Sequence, residues 1–202
     1  MAFFKTTWFK CIACLLRIAV ISGALLAALN DLLYVSPETR TARAISKIYG
    51  EEKLYFTILD TDALIDGGDE LKQNPIEYDG VGRIDKIYEI DDDLLFRTTG
   101  YKGYKNGTVT LWIRTAGNGE TYSIEKVLLE TSEKHTLMSK LSGGFYDEFC
   151  LTDVTETYKN GRYFSAEDKS AENYNPVSGA TYSATAAANA VNCVIRYLGG
   201  EK

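Results

Sequence analysis

The sequence predicts an α+β fold: a single N-terminal transmembrane helix, then a two-layer body in which an antiparallel sheet packs against a C-terminal helix. Three observations predict it. Cys11 to Leu29 is a run of 19 residues, apolar or small apart from Arg17. Several β-prone segments in the middle of the chain are separated by Gly-rich and Asn-Gly joints, the joints of antiparallel hairpins. The last element carries one apolar stripe at helical spacing.

The first of these elements sets a division into an anchor, residues 1–33, and a body, residues 34–202. At about 1.5 Å per residue the apolar run spans about 28 Å, close to the hydrocarbon thickness of a bilayer. Arg17 lies about two turns from the N-terminal end, near enough for its guanidinium to reach the headgroups. Trp8 suits the interfacial aromatic belt. Small residues from Ala24 to Ala28 also fit a cleavable signal peptide, but apolar character resumes at Leu32, Leu33 and Tyr34, which favours a retained helix. Lys5, Lys10 and Arg17 favour an N-terminus inside and a body outside, opposed in part by Arg40, Arg43 and Lys47.

Beyond the anchor, Pro37-Glu38-Thr39 suits a helix start, and Ala42, Ile45, Ile48 and Tyr49 recur at helical spacing up to Gly50. Leu54 to Leu59 is β-prone, and Asp60 to Asp79 reads as a loop. Strands are predicted from Ile84 to Ile90, Leu94 to Thr99, Thr108 to Arg114 and Tyr122 to Leu129. Gly144 to Phe149 reads as a short helix. In the final helix Ala187, Ala190, Val191, Val194, Ile195 and Leu198 form the buried stripe, and Gly199-Gly200 ends it.

Charge and residue types narrow the function. The net charge is -6, with +2 in residues 1–33 and therefore -8 in the body, and no basic stripe offers itself to nucleic acid. His135 is the sole histidine, which removes Ser-His-Asp catalysis and a His-rich metal site. Asp91-Asp92-Asp93 lacks the spacing of a calcium loop and reads as a solvated turn, so no metal site is expected. Cys11 and Cys14 read as helix residues. Cys150 and Cys193 are left open as a disulfide, since spacing alone does not bring their Cβ atoms together.

The residues that carry chemistry stand just before the last helix: Asn175-Pro176-Val177-Ser178-Gly179-Ala180-Thr181-Tyr182-Ser183. A helix N-terminus presents amides without intrahelical partners and a positive dipole, so a phosphate at Thr181 would be stabilised there. Ser178, Thr181 and Ser183 also suit plain capping of the helix, and that is the reading the residues alone favour.

Ser178-Gly179-Ala180-Thr181 followed by Ser183 resembles the flavinylation motif of the FMN-binding domain found in the G subunit of the Rnf complex and the C subunit of the sodium-pumping Nqr complex. Gly100-Tyr101, the strand from Thr108 to Arg114, Gly119 and the segment Ile124 to Leu129 are similar to the family pattern in order and spacing. Glu133-Lys134-His135-Thr136-Leu137-Met138 falls where the family has E-T-P-G-L-G and keeps Glu133 and Leu137. Asn175 stands where the family usually has Asp.

The resemblance implies FMN joined to Thr181 through a phosphoester by a flavin transferase that uses FAD and magnesium. Ser178, Gly179, Ala180, Tyr182, Ser183, Glu133 and Leu137 would line the cofactor site, with Glu130 and Glu133 near the ring edge. It further implies an electron-carrying subunit, not catalytic alone, of an Rnf-type ion-translocating ferredoxin:NAD oxidoreductase. Its partners would be the other membrane and iron–sulfur subunits. The chain would be single-pass in the cell membrane, N-terminus cytoplasmic and FMN domain on the outer face. A stand-alone anchored FMN carrier and a flavin-free tethered interaction domain are the alternatives.

Overall fold

The computed structural model describes residues 7–35, 37–50, 57–58, 74–90, 92–117, 120–134, 137–141 and 143–201. The chain divides into two compact units, Met1–Thr41 and Ala42–Lys202. In the first, α1 (Thr7–Leu33) leaves Leu15, Leu16, Ile21, Leu25 and Leu26 exposed. Its segment Lys10–Leu33 is long and apolar enough to cross a membrane. At about 1.5 Å per residue those 24 residues reach about 36 Å, more than the hydrocarbon core requires.

The second unit is built on a six-stranded antiparallel sheet in the order β1-β3-β4-β5-β6, with β2 pairing beside β1 on the outer edge of β3. Its strands are β1 (Thr57–Ile58), β2 (Ile76–Tyr78), β3 (Gly82–Ile90), β4 (Asp93–Gly100), β5 (Val109–Gly117) and β6 (Tyr122–Ser132). The β3–β6 meander follows the predicted strands closely, because short joints leave successive strands no partner nearer than each other.

Alternation along the strands is broken by bulges. Between Ile84 and Lys86 the register against β4 shifts. Ile84 and Ile87, three apart, therefore join one core, while Tyr88 and Ile90 face the other. Two further shifts lie between β5 and β6.

One face of the sheet is covered by α4 (Thr181–Leu198). Of the predicted stripe Ala187, Ala190, Val191, Val194 and Ile195 are buried and Leu198 is partly buried, and Ala184, Ala186, Ala188, Asn192 and Cys193 are buried as well, because the helix sinks against the sheet. Small residues permit that approach: a Cβ on Gly100 would lie 1.9 Å from the Ala186 carbonyl oxygen and 2.5 Å from the Ala190 nitrogen. Asn192 clamps the helix to β7 (Phe164–Ser165), donating to the Phe164 carbonyl and accepting from its N–H, both at 2.9 Å.

The opposite face is not bare, and this corrects the two-layer expectation. Ile45 and Ile48 of α2 (Pro37–Tyr49) are buried against Tyr88, Ile90, Leu95 and Trp112, so helices cover both faces. Lys126 of β6 donates to the carbonyl of Ile48 at 3.1 Å, placing a cation at the C-terminal end of α2 where the dipole favours it.

Other differences are local. Ile76–Tyr78 is a strand inside the segment read as a loop, and residues 60–73 of that reading lie outside the described residues. Gly143–Phe145 and Asp147–Phe149 are separate 3-10 turns, not one helix. The polar stretch beyond them holds α3 (Val154–Lys159), where the Asp153 carboxylate accepts from the Glu156 N–H at 2.8 Å. Cys150 is exposed beside Glu125 of β6, whereas Cys193 is buried against Gly82 of β3, at the other side of the sheet. All four cysteines are free thiols, and the open disulfide reading falls.

Candidate functional site

The chain reaches Thr181 through a pinned turn. β8 (Asn173–Tyr174) runs parallel to β7, and the Asn175 N–H donates to the Ser165 carbonyl at 2.8 Å. The side chain of Asn175 is buried and donates to Glu148 Oε2 at 2.7 Å. An Asp there would bring a second carboxylate against Glu148, so the amide suits this chain. Val177 to Ala180 then closes a turn through an Ala180 N–H to Val177 carbonyl bond of 3.0 Å, with Gly179 at φ 74°. That backbone is one an L side chain adopts at a cost, which explains the glycine.

Helix α4 starts at Thr181, and its N-cap residue is Ala180, which makes no side-chain capping bond. The capping alternative assigned hydroxyls to this role, yet the cap position itself is filled by a methyl group. The Thr181 amide therefore has neither an intrahelical acceptor nor one from the cap side chain. Thr181 is exposed, as are Ser178 and Gly179, while Ala180 and Ser183 are buried.

A cavity of about 370 Å³ opens at this point, lined by Tyr104, Leu137, Gly179, Ala180, Thr181, Tyr182 and Ser183. Its volume falls within the range of small-molecule sites. From residue 42 onward, the large apolar side chains left exposed among the described residues are Tyr104 at 42%, Leu137 at 42% and Tyr182 at 58%. All three face this one cavity. The rings of Tyr104 and Tyr182 are 6.4 Å apart and inclined by 58°. Clustered exposed apolar groups of this kind mark a binding surface more often than chance.

A cation stands at the rim. A Cβ on Gly179 would come within 2.7 Å of Lys140 Nζ, so the ammonium lies against the glycine of the turn. Among the described residues no carboxylate forms an ion pair with it.

The structure thus brings together Gly179, Ala180, Thr181, Tyr182, Ser183 and Leu137 of the expected set. Ser178 belongs to the turn but does not line the cavity. Glu133 is exposed outside it, its N–H donating to the Thr108 carbonyl at 2.9 Å. Glu130 is held by Arg97 through bonds of 2.7 and 3.2 Å on the sheet. His135 lies outside the described residues.

Sequence reasoning missed Tyr104 and Lys140. The one local signal for Tyr104 was an aromatic residue within the Gly103–Gly107 joint. Among the described residues no cluster of His, Cys, Asp and Glu could hold a metal ion.

Set against family models, curated proteins and solved structures, the chain matches none of them.

Proposed function

We propose that the chain is a membrane-anchored electron-transfer flavoprotein carrying FMN on Thr181 through a phosphoester. The observation that carries the reading is the convergence of Tyr104, Leu137 and Tyr182, the large apolar side chains left exposed from residue 42 onward among the described residues, on the cavity that Thr181 lines. A planar ring tethered at that hydroxyl would have apolar surface to lie on. The phosphate would meet the amide end of α4 and the ammonium of Lys140.

Attachment is a transfer from FAD. Thr181 Oγ forms a bond to the FMN phosphorus, the pyrophosphate bond of FAD breaks, AMP leaves, and the hydroxyl proton passes to a base of the transferase. FMN supplies one- and two-electron redox chemistry, and the chain's own residues orient and partly cover it. The side chain of Thr181 is the tether, Gly179 gives the turn its shape, and Leu137 and Tyr182 exclude water from the ring's surroundings.

The apolar helix α1 supports anchoring in a membrane, and the charges of Lys5, Lys10 and Arg17 favour a cytoplasmic N-terminus with the FMN domain on the outer face. Placement in an Rnf-type ion-translocating oxidoreductase rests on the resemblance of the S-G-A-T segment, and co-purification with membrane and iron–sulfur subunits separates it from a stand-alone carrier.

The deciding experiment is the intact mass of the chain co-expressed with a flavin transferase. The expected gain is FMN less one water, together with a fluorescent band after denaturing electrophoresis. Thr181→Val removes both. A wild-type chain with no added mass, in cells where a known substrate of the transferase is modified, means a flavin-free interaction domain.

A further inference from the structure

The turn Tyr104–Asn106 between β4 and β5 is costly to build. Lys102, Lys105 and Asn106 hold φ angles of 66°, 51° and 57°, in the left-handed region that non-glycine residues avoid by about 1 kcal/mol or more each. Such conformations persist only where the surroundings over-determine them, and here they do.

Several bonds fix the loop. Gly103 N–H donates to the Gly107 carbonyl at 3.0 Å, and Gly107 N–H to the Tyr104 carbonyl at 2.9 Å. Gly107 lies so close to the Glu133 carbonyl oxygen that a Cβ would stand 2.2 Å from it. From the other side, Asn189 of α4 donates to the Tyr101 carbonyl at 3.0 Å. The loop is thereby tied to β6 and to the helix that begins at Thr181.

What this scaffold holds in place is one ring. Tyr104 stays 42% exposed although its neighbours Gly103 and Gly107 are buried, and it forms a wall of the cavity at Thr181. A tyrosine directed toward solvent without purpose would not need three strained residues around it. An aromatic ring held rigidly at an apolar cavity offers a flat, low-entropy surface for a second aromatic ring.

We propose that Tyr104 is the aromatic wall on which the isoalloxazine of Thr181-linked FMN lies, a positioning residue for the flavin. The inference rests on the flavin reading above and adds to it a ring contact from a distant part of the chain. A phenol in van der Waals contact with an excited flavin donates an electron that then returns, so the contact quenches flavin emission. A phenyl ring of the same shape does not.

The test uses the full chain, loaded by the transferase in membranes and purified in detergent, as wild type, Tyr104→Phe and Tyr182→Phe. Intact mass first establishes loading in each; an unloaded wild type would count against the parent reading and not against this one. With loading established, Tyr104→Phe is expected to raise flavin fluorescence several-fold, with the mass gained on loading and the thermal transition unchanged. Emission equal to wild type, or a rise that follows Tyr182→Phe and not Tyr104→Phe, overturns the proposal. A measurement that needs no variant accompanies it: the Tyr104 ring protons shift upfield on loading while those of Tyr158 stay, and unmoved Tyr104 resonances also overturn it.

Discussion

Two residues of the Thr181 turn make opposite demands on substitution. Gly179, at φ 74°, meets only the flexible end of Lys140, so the cost of Gly179→Ala is mainly conformational. We expect a loss of about 1 kcal/mol in urea unfolding and slower flavin loading; a variant as stable as wild type would mean the turn tolerates an L side chain. Asn175→Asp has an electrostatic cost, because its new carboxylate faces Glu148 at hydrogen-bond distance. The pair would raise the folded-state pKa of one carboxyl above its unfolded value. The variant should therefore be less stable by about 1–2 kcal/mol at neutral pH, with the deficit shrinking as pH falls below that raised pKa. A deficit that stays constant between pH 7 and 5 would point to packing.

At the level of elements, the contact of α4 with the sheet decides whether the site exists. Gly100 has no room for a methyl group, because the obstacles are backbone atoms of Ala186 and Ala190 and cannot rotate away. Gly100→Ala should cost about 3 kcal/mol or more, seen as a lowered urea midpoint, and should blunt loading by tilting the helix that presents Thr181. A near-normal midpoint would show that the helix can slide. Asn192 holds the same helix from its far side, which leaves α4 little freedom along its length.

Across the whole molecule, burial places several weak acids where ionisation opposes folding. Burial pushes Cys193 up to about 12. Tyr146 is likewise raised to about 12 by burial, and Tyr101 to about 12 by burial and the bond from its hydroxyl to Glu77. Burial raises Tyr78 as well, its hydroxyl donating to the Glu201 carbonyl at 2.7 Å. A folded-state pKa above the unfolded value means that the native state holds more protons through the alkaline range. The contribution to stability is complete below the unfolded values and is lost as pH rises through the folded ones. Chemical denaturation between pH 8 and 11 should show a steady decline, and a flat profile would contradict these environments.

The sequence by itself determined the membrane-length helix, the four meander strands and the terminal helix, each of which has a local period or a short joint that permits one arrangement. It also marked Thr181, because Gly179 and the helix start are local features. Tertiary structure alone decided what surrounds that hydroxyl. Tyr104 meets Thr181 from a segment 77 positions away in which no pattern points to that hydroxyl, whereas Leu137, 44 positions away, was expected there only through the family resemblance. The bulge at Asp85 and the cover of α2 over Tyr88 and Trp112 were hidden for the same reason. A periodicity records which side of its own element a residue takes, whereas a cavity forms where separate elements end, and that depends on how closely they pack.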